Sequence, residues 1–298
     1  MSRYYRQLIE RFGYTYSSDA VASVSFYLSV EELSGGRAGY FPPPQKSTHT
    51  SPNTSQQIKA PIGCTSVSIE CWGGGGSGGS VVKEGSFPNG AAGGAGGSYA
   101  FGEFEITEGQ TIYLYVGGGG IASTASSTNG RRINGTQSWV NLVSNTKPTS
   151  LSQGILAVGG QGGQSRHTDA ILPGIGTTAG CIGEVVFAGG NGATPSLTFY
   201  EIFNSPWFSG GGGGGATYSG NGGNANGIFG GNHTLGSGGG AGGAGRYVSG
   251  NGNVGLSPGG GGSGALLQDG FAGSYLGGNG SAGKIIFYWG THLYPIVR

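Results

Sequence analysis

Short runs of alternating hydrophobic and polar residues recur along the chain, and each predicts a β-strand. Residues 64–72 read CTSVSIECW, residues 98–107 read SYAFGEFEIT and residues 111–116 read TIYLYV. A period of two places successive side chains on opposite faces of a sheet. KIIFYW, at residues 284–289, is apolar on both faces and predicts a strand in the middle of a sheet. Gly102 interrupts the alternation of the second run and predicts a bulge.

The first 57 residues have a different pattern, which predicts two segments before the main domain. In residues 1–41, RYYRQLIERF predicts a short amphipathic helix and VSFYLSV predicts a strand with Val24, Phe26, Leu28 and Val30 on one face. A signal-peptide core is the alternative interpretation of the second run. Residues 42–57, PPPQKSTHTSPNTSQQ, predict a linker, because such a polar, proline-rich run builds no core. Residues 58–298 then form one glycine-rich domain.

Glycine tracts follow most of the predicted strands, and 71 of the 298 residues are glycine. One possible role is a phosphate loop, since Gly73, Gly75 and Gly78 match G-x-G-x-x-G after a strand. That motif needs a helix next, and the residues that follow, SVVKEGSFPNG, contain glycine and proline instead. Flexible linkers are a second possibility, but so many of them between strands would leave no domain.

Packed polyglycine is the third interpretation, and the pattern favours it. A glycine-rich segment can form a left-handed helix of three residues per turn whose N–H and C=O groups point sideways. Several such helices lying side by side would satisfy one another's hydrogen bonds, and only glycine allows backbones to approach so closely. The six consecutive glycines at residues 210–215 are then one rod of a bundle.

Composition narrows the possible partners and chemistry. Aromatic residues make up 11% of the chain, which argues against disorder. Charged residues make up 9% and the net charge is +1, so nothing indicates a nucleic-acid partner. No apolar run is long enough to span a membrane. No nucleophile, base or carboxylate pair stands out, and the histidines are scattered, so we expect no enzymatic activity, no cofactor and no metal.

The three cysteines are Cys64, Cys71 and Cys181. Cys64 and Cys71 are an odd number of positions apart in one predicted strand, which places them on opposite faces and too far apart to form a disulfide. Either one could pair with Cys181.

The succession of these motifs resembles the glycine-rich domain of bacteriophage tail fibres. The resemblance covers roughly residues 58–290 and rests on CTSVSIECWGGGG, GGSYAFGEFEITEGQTIYLYVGGGG, GILAVGGQGG and the closing GSAGKIIFYWG. A related pattern occurs in the glycine-rich region of the anaplastic lymphoma kinase receptor, and a looser one in tail-fibre tip adhesins. The resemblance implies a mainly β fold: a jelly-roll-like β-sandwich frame packed on a bundle of polyglycine II helices, here with an extended N-terminal arm.

The resemblance also implies a function. In the phage adhesins the loops between glycine tracts contact a host receptor, so the inserts of this chain are candidate loops at the cell surface or on a virion. Tyr200, Phe203, Trp207 and Phe208 in the longest insert are the candidate contact residues; packing over the bundle is the other role open to them.

The alternative is a self-assembling subunit of an extracellular filament, in which Val24, Phe26, Leu28 and Val30 form a strand added to a neighbour's sheet. The expected partners are therefore other copies of the chain or a carrier fibre protein, together with a host cell-surface receptor.

Overall fold

The computed structural model describes residues 45–82, 89–123, 133–165, 171–196, 207–232, 238–268 and 273–290. The chain divides into two compact units, Met1–Pro43 and Pro44–Arg298. The first unit lies outside the described residues, and so do the predicted N-terminal helix and the strand that carries Val24, Phe26, Leu28 and Val30. In the second unit the described residues form a mainly β structure without α-helices.

Two antiparallel sheets form a sandwich. The strands are β1 (Gln45–His49), β2 (Ser55–Lys59), β3 (Ser66–Trp72), β4 (Val81–Val82), β5 (Asn89–Gly90), β6 (Tyr99–Glu105), β7 (Thr111–Tyr115), β8 (Ser138–Asn141), β9 (Gly154–Ala157), β10 (Val185–Phe187), β11 (Leu266–Leu267), β12 (Ser274–Tyr275) and β13 (Lys284–Trp289). The first sheet has the order β1-β13-β3-β6-β10 and the second has the order β2-β7-β8-β9. The short pairs β4–β12 and β5–β11 lie outside the sandwich sheets.

Alternating side chains of the two sheets form the core between them. Strand β13 lies between β1 and β3, as its two apolar faces predict. The buried cluster consists mainly of aliphatic and aromatic side chains from both sheets, including Val67, Ile69, Ile112, Leu114, Val140, Ile155, Ile285, Phe287 and Trp289. The predicted β-sandwich is therefore confirmed.

Two predictions about the strands are wrong. The predicted linker, residues 42–57, contains strand β1 and the first three residues of β2. Both are edge strands whose pairing is made by the main chain, so the pairing does not require apolar side chains. Strand β6 has no bulge, because Gly102 pairs in register with Ile69. Its lack of a side chain instead makes room for the Ile155 methyl, which would lie 2.8 Å from a Cβ there.

Cys64 and Cys71 lie in the same core cluster rather than on opposite faces. The reason is that β3 begins only at Ser66, so a turn brings Cys64 to the interior. All three cysteines are free thiols, and burial raises the pKa of each.

The glycine tracts continue from the sandwich as straight rods with a three-residue hydrogen-bond repeat. In the 73–79 rod, Gly73 donates its N–H to Ser98 O (2.9 Å), Gly74 to Thr136 O (3.0 Å) and Gly75 to Ser281 O (2.9 Å). The next residues repeat the cycle: Gly76, Ser77 and Gly78 donate to the same three neighbouring segments. Each residue thus points its N–H about 120° from the last, as a helix of three residues per turn requires.

The described part of the chain contains fourteen such rods, which lie side by side in a hexagonal array. They are residues 73–79, 91–98, 117–121, 133–137, 158–165, 171–176, 188–194, 209–216, 221–225, 229–232, 238–245, 251–256, 259–265 and 276–283. Four of them are enclosed by neighbours on all sides, namely 73–79, 91–98, 209–216 and 259–265. The chain is therefore a sandwich joined to a packed polyglycine bundle.

The six consecutive glycines belong to the enclosed 209–216 rod. This rod donates N–H groups to three neighbours, through Gly212 to Gly243, Gly213 to Gly94 and Gly214 to Gly223. It accepts hydrogen bonds from three others, donated by Gly190, Gly231 and Gly261. The segment that most resembles a linker in sequence is therefore hydrogen-bonded to six other rods.

Asparagine–glycine pairs bind the outer rods together. In these pairs the glycine N–H donates to a carbonyl of the neighbouring rod, and the asparagine Oδ1 accepts an N–H from that same rod. Asn221 and Gly222, for example, bond the N–H and C=O of Ala188, both at 2.9 Å. Four other pairs do the same: Asn134–Gly135, Asn191–Gly192, Asn251–Gly252 and Asn279–Gly280. The amides thus replace main-chain partners at the rim of the array.

Trp72 and Glu70 mark the junction between sandwich and bundle, on the outer face of the first sheet. The Trp72 indole N–H donates to Ala216 O (3.0 Å) at the end of the 209–216 rod. The Glu70 carboxylate accepts hydrogen bonds from the hydroxyls of Tyr99 and Tyr288, both at 3.0 Å. Burial raises the pKa of Glu70 against the opposing effect of these two bonds and of Lys284.

Candidate recognition surface

The bundle has two ends, which we call the sandwich end and the distal end. Gly73 directly follows β3 and bonds Ser98, which directly precedes β6, so this bond marks the sandwich end. Gly79 bonds Ala92 two turns further along the same pair of rods and marks the distal end. The hydrogen bonds between each remaining rod and its neighbours show which of its residues lie at the sandwich end and which lie at the distal end.

Most inserts between the rods start and finish at the distal end. Five segments outside the described residues have flanking residues there: 83–88, 124–132, 166–170, 197–206 and 269–272. The flanks contact one another or the distal ends of rods, as in the Ser196–Phe208 main-chain pair and the bond from Asn89 Nδ2 to Val82 O (2.8 Å). Gly238, which flanks segment 233–237, lies instead at the sandwich end beside Trp72.

Five exposed or half-buried apolar residues lie at the distal end, and we call them the distal aromatic patch: Trp207, Phe208, Phe229, Tyr247 and Val248. The rings of Phe208 and Tyr247 meet edge to face with centroids 6.5 Å apart. Phe229 is 67% exposed, Val248 63% and Tyr247 49%. Trp207 and Phe208 are half-buried. This distal aromatic patch draws its residues from three separate turns of the chain.

The rod lattice holds these turns in place directly beneath the patch. Gly245 donates its N–H to Ile228 O (2.6 Å), and Gly211 donates to Gly227 O (2.8 Å). Ser209 exchanges two bonds with Arg246: its N–H donates to Arg246 O (3.0 Å), and its hydroxyl accepts the Arg246 N–H (2.8 Å). A surface fixed in this way loses little conformational entropy when it binds a partner.

A family model described as a glycine-rich domain matches residues 50–290. The chain belongs to this glycine-rich domain family. The match begins between β1 and β2 and ends just after β13, so it includes both the sandwich and the bundle. A comparison with curated proteins found no match.

The structure places only part of the predicted site of this glycine-rich domain. Trp207 and Phe208 lie at the distal end, whereas Tyr200 and Phe203 lie outside the described residues. Phe229 and Tyr247 were not predicted from the sequence. The signal for Phe229 is Gly227, which has a positive φ and occupies the first central position of the two-residue turn between Asn226 and Phe229.

The described part of the glycine-rich domain has little charge at its distal end. The Arg246 side chain lies along the main chain, and its Nε donates to Asn251 O (2.7 Å). Among the described residues, no group of histidine, cysteine, aspartate and glutamate side chains could hold a metal ion. A search of the same residues for a helix long and apolar enough to cross a membrane found none.

Proposed function

We propose that this glycine-rich domain is a non-enzymatic adhesive component, similar to those of phage tail fibres, which presents recognition loops on a polyglycine scaffold. One observation supports this most directly: the rod register brings the flanking residues of five inserts, together with the distal aromatic patch, to the end opposite the sandwich. Loops carried on a rigid scaffold are the usual arrangement of recognition proteins. The expected partner is a host cell-surface receptor, and the expected location is extracellular or on a virion.

The apolar character of the patch supports recognition rather than chemistry. Large exposed apolar patches are uncommon on soluble proteins and mark contact surfaces. Aromatic side chains contribute most of the binding energy at such surfaces, because they bury a large area at a low cost in entropy. Phe229 and Tyr247 are therefore the described residues that we expect to contribute most to receptor binding.

Replacing both Phe229 and Tyr247 by serine is expected to abolish most binding to susceptible bacterial cells. Loss of two aromatic contacts costs about 2 kcal/mol or more, a decrease of roughly 30-fold in affinity. The measurement is a titration of the labelled protein on a panel of bacterial strains. The matched control replaces Val254 and Leu256, which are 59% and 58% exposed on an outer rod, by serine and should bind like the original protein.

Two results would contradict this proposal. In the first, the Phe229/Tyr247 variant binds as well as the control variant on every strain that the original protein recognises. In the second, the purified protein polymerises alone into filaments under negative-stain electron microscopy and binds no cells. The second result would favour the alternative function, a self-assembling subunit linked by strand addition from Val24, Phe26, Leu28 and Val30 of a neighbouring copy.

A further inference from the structure

Asn–Gly pairs are the sites at which proteins lose side-chain ammonia most readily. The main-chain nitrogen of the glycine attacks the Cγ of the asparagine side chain, ammonia leaves, and a cyclic succinimide forms. Water then opens the ring to aspartate or isoaspartate, so the only co-reactant is water. The reaction requires the glycine nitrogen to lose its proton and the asparagine side chain to rotate towards it. A hydrogen bond at either position opposes the reaction.

The polyglycine lattice holds both reacting groups in five of these pairs. At Asn251–Gly252, the glycine N–H donates to Leu276 O (2.8 Å) and the asparagine Oδ1 accepts the Leu276 N–H (2.9 Å). At Asn279–Gly280, the corresponding bonds are to Gly120 O (2.9 Å) and from Ala122 N (2.8 Å). The same two bonds occur at the pairs that begin with Asn134, Asn191 and Asn221. Each pair would have to leave the lattice before it could react.

Asn89–Gly90 is held in a different way, by strand pairing. Both residues lie in β5 and pair with β11, and the Asn89 amide Nδ2 donates to Val82 O (2.8 Å). Asn129–Gly130 lies outside the described residues.

Asn226–Gly227 differs from every other described pair. It opens the distal turn that ends at Phe229, where Asn226 and Phe229 exchange main-chain bonds of 3.1 and 3.0 Å. Gly227 has a φ of 57°. The lattice holds this turn through the carbonyls of Gly227 and Ile228. Among the described residues, none bonds the Asn226 side chain or the Gly227 N–H, and Asn226 is exposed.

We propose that Asn226 is a site of spontaneous deamidation in the folded protein, whereas the lattice protects five of the other described Asn–Gly pairs and strand pairing protects Asn89–Gly90. Breaking two hydrogen bonds before reaction slows each lattice pair by at least about tenfold relative to Asn226. The product places a carboxylate within the turn that carries Phe229, and isoaspartate adds a main-chain carbon to that turn. Deamidation therefore changes the charge and the shape of the distal aromatic patch.

Peptide mapping by mass spectrometry tests this proposal. The folded protein is aged in mildly alkaline buffer, digested and fragmented, and each Asn–Gly pair is scored for replacement of the amide by a carboxyl group. The same ageing is carried out on protein unfolded in guanidinium. We expect conversion at Asn226 in the folded protein, at least about tenfold faster than at the other described pairs, and similar rates at all pairs in the unfolded protein.

A matched variant and two contrary outcomes complete the test. Asn226→Gln should remove the fast conversion and leave the slow pairs unchanged. Equal rates at Asn226 and at the lattice pairs of the folded protein would overturn the proposal, as would faster conversion at any lattice pair.

The consequence for binding is measured separately with Asn226→Asp and rests on the proposed function. Weaker cell binding of Asn226→Asp supports a role for this turn in recognition, and unchanged binding argues against that role. Neither result alters the peptide map, so failure of the proposed function and failure of the deamidation proposal can be distinguished.

Discussion

Replacing Gly213 by alanine is expected to prevent the domain from folding stably. A Cβ at this position would lie 2.0 Å from Gly190 O and 2.5 Å from Gly190 C, and both atoms belong to the main chain of a neighbouring rod. That rod is itself held in the array, so it cannot move aside without breaking other hydrogen bonds. Overpacking of a core costs about 1–3 kcal/mol when side chains can adjust. Here no side chain can, and we expect a larger loss, measured as the free energy of unfolding in denaturant.

Gly220→Ala is the matched control, because it makes the same chemical change seven residues later in the chain. A Cβ at Gly220 would meet no atom within 4 Å. Alanine restricts the unfolded chain more than glycine does, so this variant should be unchanged or more stable by about 0.4–1 kcal/mol. If Gly213→Ala and Gly220→Ala unfold at the same denaturant concentration, the 209–216 segment is a linker and the proposed packing is wrong.

Replacing Trp72 by alanine is expected to have the second-largest effect. Its side chain is 1% exposed, packs edge to face on Tyr99 at 5.0 Å and lies beneath Lys284, whose Nζ is 4.7 Å from the ring. The Trp72 indole also donates a hydrogen bond to Ala216 O and contacts Gly238. These two residues lie at the ends of the 209–216 and 238–245 rods, neither of which continues into a sandwich strand. Removing a buried tryptophan costs about 3–5 kcal/mol. The expected result is a free energy of unfolding reduced by that amount.

Trp72→Phe separates the packing of this residue from its hydrogen bond. Phenylalanine keeps a ring against Tyr99 but leaves Ala216 O without its donor, which costs about 1–3 kcal/mol. The predicted order of stability is therefore the original protein, then Trp72→Phe, then Trp72→Ala. A loss of less than about 1 kcal/mol for Trp72→Ala would show that this contact does not join the sandwich to the bundle.

The strands and the packing of the glycine tracts could be predicted from the sequence, because both depend on local pattern. Strands β7 and β13 lie at their predicted positions, and β3 begins two residues later than predicted. The edge strands β1 and β2 were not predicted, because they pair through their main chains and their mostly polar side chains show no hydrophobic alternation. Interior strands bury one face and therefore show an alternation that such edge strands lack.

The distal aromatic patch could be predicted only in part, for a similar reason. Trp207 and Phe208 stand out in an aromatic insert, but Phe229 and Tyr247 reach the same surface only through the register of the rods. That register is set by contacts between segments far apart in the chain. The asparagines of the Asn–Gly pairs resemble turn residues in sequence, and their bonds to neighbouring rods appear only in three dimensions.

Amide hydrogen exchange at Gly210–Gly215 tests whether the six glycines form an enclosed, hydrogen-bonded rod. In the enclosed rod each of these N–H groups donates to a neighbouring main-chain carbonyl, at 2.7–3.0 Å. Such amides exchange only when the surrounding structure opens. We therefore predict that their exchange is as slow as that of the buried strand β13 and requires global unfolding. Exchange at the rate of an unstructured glycine peptide would show that the six glycines are a flexible linker and would contradict the packed polyglycine bundle.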